Sequence, residues 1–326
     1  MRRRQFIGFL GSAAAWPLSA DAQTPPIPVI GFLNSASSSE FAQLAEAFRQ
    51  GLSETGYVAG KNVVIEYRWA EGRYERLPGF AADLVRRQVA VIAATGGQQP
   101  AVVAKAASAT IPVLFVSGLD PVRAGLVASF NRPGGNATGA SIYTIQLIAK
   151  RLELLNELVP RTTTVALLLN ANSAGADSGA KEMEEATRAT RQQLLVLKVR
   201  TESDFEGTFA AAVRQGAGTL VSTADPFLTD RRAQLVALAK KYRLPAMYPW
   251  REYVEAGGLM SYGPSISLAY RQIGVYAGRI LNGAKPADLP VQAQPKIELV
   301  INLSAAKALG LTVPRLMLAR ATEIIE

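Results

Sequence analysis

The chain has 326 residues, enough for two medium domains with full cores, and the composition of an ordinary globular protein. It contains neither cysteine nor histidine, which removes disulfides, thiol nucleophiles, Cys/His zinc sites and histidine proton transfer. The net charge of +9 includes Arg2, Arg3 and Arg4. The other basic residues are interspersed with acids along helical stretches such as Lys181–Arg191, so no nucleic-acid partner is expected.

Met1-Arg2-Arg3-Arg4-Gln5-Phe6-Ile7 precedes a small, apolar run from Gly8 to Trp16, and Ala20-Asp21-Ala22 has the small-x-small form cut by signal peptidase. A basic start, a short apolar core and that ending read as a cleaved secretory signal over 1–22, too short for a stable anchor. The order Arg3-Arg4-Gln5-Phe6-Ile7 resembles the twin-arginine type. No cysteine follows for lipidation, and no later stretch reaches about 18 consecutive apolar residues. A mature periplasmic chain beginning near Gln23, with no direct membrane insertion, is the expectation.

Pro28–Leu33 reads as a strand ending at Asn34-Ser35-Ala36. Phe41, Leu44, Ala45, Phe48 and Leu52 then form one helical stripe, with Ser37 and Glu40 at capping-box spacing and Gly56 as a stop. A β-rich run at Val63–Trp69, a helix near Arg73–Arg87 and a strand at Val89–Ala94 follow, the last ending at Thr95-Gly96-Gly97. A helix starts near Pro100, and Ile111–Val116 runs as a strand into Ser117-Gly118.

The pattern then repeats. Val165–Leu169 stops at Asn170-Ala171-Asn172-Ser173, a helix covers about Gly179–Gln192, Leu194–Val199 is β-like and Asp204–Arg214 helical. Thr219–Ser222 ends at Thr223-Ala224-Asp225-Pro226, a helix runs to Tyr242, and Leu244–Met247 ends at Tyr248-Pro249-Trp250. Asn34 to Asn170, Val63 to Leu194, Thr95 to Thr223 and Pro112 to Pro245 are offset by 136, 131, 128 and 133 residues. Two such β-α-β-α-β-α-β units predict an α/β protein of two Rossmann-like lobes with parallel sheets. A helix at Ser265–Asn282 and a strand at Ile297–Asn302 leading into Ser304–Leu309 return the chain to each lobe in turn. The expected lobes are 27–142 plus 262–292 and 143–261 plus 293–326, joined by a multi-strand hinge able to close on a ligand.

Ligands of open parallel sheets sit beyond the carboxyl ends of strands. Those ends supply the candidate ligand-binding residues: Asn34, Ser35, Thr95, Gly96 and Ser117 in the first unit, and Asn170, Asn172, Ser173, Thr223, Asp225, Tyr248 and Trp250 in the second. Most are small or neutral and precede helix N-termini, which suits a carboxylate. Each has a structural alternative. Asp120-Pro121 and Asp225-Pro226 have the form of an N-cap followed by proline, Ser35, Thr95 and Ser173 can cap, and Tyr248 and Trp250 can be core aromatics. No G-x-G-x-x-G, P-loop, G-x-S-x-G elbow or acidic metal cage is present, so no catalytic residue, metal ligand or cofactor is expected.

Gly56–Val63, Leu119–Val127, Arg132–Gly139 and Glu298–Leu311 together resemble the tryptophan/aromatic amino-acid type of ABC-transporter substrate-binding protein, with a type I periplasmic-binding fold. The resemblance covers nearly the whole mature chain. It implies a monomer that captures a small-molecule ligand for a membrane permease. It also implies that Ser35, Thr95 and Ser117 grip an amino-acid head group opposite Asn170, Asn172 and Asp225. The sequence departs from better-known members at Tyr248-Pro249-Trp250-Arg251, where they carry a more acidic or serine-rich stretch. A ligand-sensing subunit for a membrane receptor and a periplasmic enzyme on the same scaffold are the alternatives. A sugar-responsive repressor would carry a helix-turn-helix where the export signal stands.

Overall fold

The computed structural model describes residues 26–293 and 296–326, so the expected signal at 1–22 lies outside the described residues. The first half of the chain lays down β1 (Val29–Asn34), α1 (Ala42–Ser53), β2 (Val64–Trp69), α2 (Leu77–Arg86), β3 (Val91–Thr95), α3 (Gln98–Ala107), β4 (Val113–Ser117) and β5 (Ala137–Ser141). The second half continues with α4 (Ile148–Leu158), β6 (Thr164–Asn170), α5 (Ala176–Ala189), β7 (Gln193–Val199), α6 (Asp204–Arg214), β8 (Thr219–Ser222), α7 (Pro226–Asp230) and α8 (Arg232–Lys241). Then come β9 (Ala246–Tyr248), α9 (Arg251–Glu255), β10 (Met260–Pro264), α10 (Ile266–Leu281), β11 (Gln292–Ala293), β12 (Ile297–Asn302), α11 (Leu303–Ala308), α12 (Arg315–Arg320) and β13 (Glu323–Ile325).

These strands form two sheets, β11-β5-β4-β3-β1-β2 and β13-β12-β10-β9-β8-β6-β7. The duplication is visible in the order itself: β2-β1-β3-β4-β5 in one sheet has the same sequence of places as β7-β6-β8-β9-β10 in the other. β3, β4, β8 and β9 are buried along their whole length, as parallel strands covered by helices on both faces must be. The outer strands β2 and β7 are only half-buried. On α1 the predicted stripe of Leu44, Ala45, Phe48 and Leu52 is buried. This helix packs on α10 so closely that a Cβ at Gly51 or Gly274 would strike a facing backbone carbonyl.

Two details add to the sequence expectations. The sheets are not wholly parallel, because β12 runs antiparallel to β10. β10 leaves the second sheet at its inter-lobe end, the chain visits the first lobe through α10 and β11, and β12 re-enters from that same end, so its direction is reversed. The expected changeover at 262 also falls inside β10, which pairs with β12 from Met260 to Pro264. Several elements have no counterpart in the sequence reading, among them β5, α4, α9, β11, α12 and β13. β5 is Ala-Thr-Gly-Ala-Ser, which lacks a bulky β-former, yet it lies against β4 where a Cβ at Gly139 would collide with the Phe115 backbone.

Candidate functional site

The carboxyl ends of the parallel strands face one another across a cleft. In each sheet the strand order reverses beside the first strand of the repeat, so the switch points between β1 and β3 and between β6 and β8 open onto this cleft. Between them lies a cavity of about 220 Å³. Its first-lobe wall is built from Tyr74, the run Gly96–Gln99, and Gly118-Leu119. The second-lobe wall is Leu169, the turn Asn172–Ala176, Gly179 and Thr223–Pro226, and Thr144, Ile145 and Ile148 of the crossing between β5 and α4 complete it.

On the first lobe the predicted polar residues build the wall from behind. Asn34 and Thr95 are register partners on β1 and β3, and Asn34 Nδ2 donates to Thr95 Oγ1 at 2.8 Å and to the Tyr270 hydroxyl at 3.3 Å. Asn34 Oδ1 accepts from the Ala36 amide at 2.7 Å, and the Ser35 hydroxyl donates to the Gly96 carbonyl. The Gly96 amide donates to the Tyr270 hydroxyl at 3.1 Å, and burial pushes that phenol up to about 12. Gly96 and Gly97 have φ of 75° and 91°, and a Cβ on Gly97 would stand 3.2 Å from Pro226 of the other lobe. Only glycine lets α3 present its first turn this close to the opposing wall. Ser117 Oγ donates to the Leu119 carbonyl at 3.1 Å and accepts from its amide at 3.2 Å, shaping the Gly118-Leu119 corner.

On the second lobe one carboxylate dominates. Asp225 is 3 % exposed and caps α7. Its Oδ1 accepts from the Phe227 amide at 3.0 Å, the Leu228 amide at 3.3 Å and Asn170 Nδ2 at 3.0 Å. Asn170 Oδ1 in turn accepts from the Asn172 amide at 3.0 Å. Thr223 Oγ1 donates to the Leu168 carbonyl at 3.1 Å, and Ser173 Oγ accepts from the Gly175 amide at 3.4 Å. The second oxygen, Asp225 Oδ2, is buried and has no hydrogen-bond partner. Burial raises the Asp225 carboxyl above the ordinary carboxylate range, against the pull of Asn170, Ser173 and the two amides. Tyr74 across the cleft is pushed well above the usual phenol range by burial and then by the charge of Asp225.

Of the twelve candidate residues, Gly96, Asn172, Ser173, Thr223 and Asp225 line the cavity. Asn34, Ser35, Thr95, Ser117 and Asn170 are buried behind it. Trp250 lines a smaller adjoining space of about 50 Å³ with Phe41, Ile266 and Tyr270. The expectation of a cleft-facing ring at Tyr248 is corrected: this side chain stacks on Tyr253 at 4.6 Å and borders a separate hollow formed with Val236, Leu244 and Ala305. Side chains alternate across β9, and that of Tyr248 lies on the side packed against Tyr253 of α9.

The sequence reading missed Tyr74, Gln98, Leu119, Thr144, Ile145 and Ile148. Tyr74 follows the carboxyl end of β2, a strand end left out of the inference, and Gln98 is the first residue of α3, with a buried Oε1 that has no partner. No lysine or arginine lines the cavity, so its one ionisable carboxylate meets no protein cation there. Arg151 lies beneath the crossing instead, fully buried. It donates from Nε to the Tyr262 carbonyl at 2.7 Å and from Nη1 to the Thr144 carbonyl at 3.0 Å, tying two hinge-side segments together. Burial lowers its pKa to about 9. Among the described residues no acid cluster could hold a metal ion, and no helix is long and apolar enough to cross a membrane.

Comparison with known proteins agrees with this architecture. A tyrosine-binding protein of Clostridioides difficile (strain R20291) is 25% identical over 270 residues, 82% of this chain and 76% of that protein. The solved ABC domain from Streptococcus pneumonia in complex with L-Trp superposes with a TM-score of 0.83 at 23% identity, covering 91% of this chain and 99% of that one. The ligand-free, open structure of a substrate-binding protein with adhesive properties from Clostridium difficile superposes with 0.65 at 22% identity, covering 92% and 99%. The fold is that of type I periplasmic binding proteins. Residues 27–325 match the family described as ABC transporter substrate binding protein, and the chain, with its duplicated sheets and a cleft between their strand ends, belongs to that family.

Proposed function

We propose that this protein is the periplasmic capture component of an ABC import system, and that it binds an α-amino acid with an apolar, aromatic side chain between two closing lobes. The observation that carries the reading is Asp225 Oδ2, a buried carboxylate oxygen without a hydrogen-bond partner, on a residue that lines a cavity with no lysine or arginine in its wall. Leaving such a group unpaired is costly, and a ligand ammonium satisfies it. The ligand carboxylate is met by Ser173 and the backbone at Gly96-Gly97, where α3 begins without a side-chain cap. Leu119, Ile145, Ile148 and Leu169 supply the apolar surface for the side chain, with Tyr74 beside them. About 220 Å³ lies below the ~300–1,000 Å³ of drug-sized pockets, which suits one small metabolite. Asn34, Ser35, Thr95, Ser117 and Asn170 act by setting the turns that face the ligand, while Trp250 closes the space behind.

The lobes are 27–142 with α10 and β11, and 143–264 with the strands and helices from β12 onward, so the hinge consists of three crossings held partly by Arg151. The tighter superposition on the L-Trp complex than on the ligand-free, open protein supports reading the present arrangement as closed. After export, the partner that receives the ligand is a membrane permease. Isothermal titration of the mature chain with L-tryptophan, L-tyrosine, L-phenylalanine, indole-3-propionate and tryptamine tests the ligand class. At least one of the three amino acids is expected to bind, and indole-3-propionate, lacking the ammonium, about 100-fold or more weaker than L-tryptophan. Equal binding of the two, or no binding of any amino acid, overturns the reading.

A further inference from the structure

Outside the cavity, the lobes meet at a second place. Ser37 and Glu40 stand in the turn between β1 and α1, and Asp230 and Arg232 at the junction of α7 and α8. Asp230 Oδ1 accepts from the Ser37 amide at 3.2 Å and from the Ser37 hydroxyl at 2.5 Å. Glu40 Oε2 pairs with Arg232 Nη1 at 2.6 Å. None of the four lines the ligand cavity. We propose that they form a latch on the cleft rim, made only when the lobes meet, which prolongs ligand residence without touching the ligand.

Each half of the latch is held ready by its own lobe. Arg231 Nη1 donates to Asp230 Oδ2 at 2.9 Å, so Asp230 carries a compensated charge into the contact, and its side chain is 7% exposed. Arg232 Nη1 also donates to the Thr229 carbonyl at 3.2 Å. On the first lobe, Ser37 Oγ accepts weakly from the Glu40 amide at 3.5 Å. That is half of the expected capping box, and the Glu40 carboxylate which would complete it turns to the other lobe instead.

The position of α7 gives the latch its leverage. This helix has five residues; Asp225 caps its start and Asp230 is its last residue. The group assigned to the ligand ammonium and the group that bonds to Ser37 are therefore fixed to one short rigid segment. Single exposed ion pairs contribute little to a fold, but these contacts join bodies that separate. Whatever free energy they supply goes to the closed state and appears as slower dissociation. The residence-time argument rests on the amino-acid reading above, while the latch geometry does not.

Because the chain has no cysteine, Gln50→Cys and Ala233→Cys, both at exposed positions of α1 and α8, accept spin labels at two sites only. Pulsed dipolar spectroscopy on the doubly labelled protein then reports the lobe separation. Glu40→Ala and Asp230→Ala are each expected to move the ligand-free distribution to longer distances, and Glu40→Arg combined with Arg232→Glu to restore it. With L-tryptophan as probe, stopped-flow dissociation should quicken about threefold to tenfold in the single variants, with association within about twofold. Unchanged distance distributions in every variant, or a charge swap no closer to the parent than its single changes, overturn the latch. If no amino acid binds the parent protein, the ligand class fails and the distance measurement still decides the latch.

Discussion

Asp120-Pro121 and Asp225-Pro226 are the same dipeptide at comparable places, and they end in opposite circumstances. Both aspartates bind the amides that follow them: Asp120 Oδ1, before a turn, accepts from the amides of Val122 at 2.8 Å and Arg123 at 3.3 Å, much as Asp225 Oδ1, before α7, accepts from Phe227 and Leu228. The difference is in the other oxygen. Asp120 is 39% exposed at its side chain and has Arg123 at 3.8 Å, whereas Asp225 Oδ2 is enclosed and without a partner. Capping occupies one oxygen of a carboxylate, so capping and ligand binding coexist in a single residue. What separates a structural aspartate from a functional one is the burial of the oxygen that the helix does not use.

The sharpest way to break this comparison is to neutralise each acid in turn. Asp225→Asn keeps an acceptor for the cap and removes the charge, so L-tryptophan binding should fall about 100-fold or more, while Asp120→Asn shifts it less than about twofold. Equal effects in titration calorimetry would end the distinction. A smaller effect comes from pH. In the unliganded fold, burial raises the Asp225 carboxyl, so between its unfolded and folded values the folded chain keeps a proton that the unfolded chain has lost. Its contribution to stability therefore declines as pH rises through that window. An ammonium needs the ionised form, so affinity should drop as pH falls below the raised value, by up to about tenfold per unit, with proton release on binding. Calorimetry in buffers of different ionisation enthalpy measures both quantities.

Stability gives the smallest effects and the clearest separation. Asp120→Ala loses the two amide bonds of an exposed turn and should cost about 0.5–1.5 kcal/mol in urea unfolding with ligand affinity intact. Asp225→Asn relieves an unpaired buried charge and should unfold, without ligand, at a urea concentration equal to or above that of the parent chain. A site that weakens the empty fold and is satisfied by its ligand predicts this inversion. A loss of about 2 kcal/mol in the empty protein would instead place Asp225 among the structural caps.

The strand-end rule carried much of the inference, and its failures are physical. Asp204–Arg214, Thr219–Ser222 and Ile297–Asn302 fold with the bounds their patterns predict, because each is a clean helical or β-run between turn signals. β5 and α4 escaped because small residues and close backbone packing leave no periodic apolar signal in β5, and the crossing that follows it hid the start of α4. Losing that segment also lost Ile145 and Ile148, hence much of the apolar wall. Sequence places Asn34 and Asp225 alike at strand ends. Only the packed structure shows that Asn34 spends its amide on Thr95 and Tyr270, whereas Asp225 keeps one oxygen spare. Tyr248 sits where expected along the chain and on the wrong face of its strand.

The threefold passage of the backbone between the sheets also constrains how the molecule is made. The first sheet lacks β11, and its lobe α10, until residue 293 is available, and the second lacks β12 and β13 until residue 325 is. Neither sheet can be completed before its last strand, β11 in the first and β13 in the second, has left the ribosome. The α1–α10 contact joins segments more than two hundred residues apart, so loop closure precedes the packing that rewards it. Synthesis from one end to the other therefore gives this protein no finished half to wait on, since the first lobe needs the chain as far as residue 293 and the second as far as residue 325.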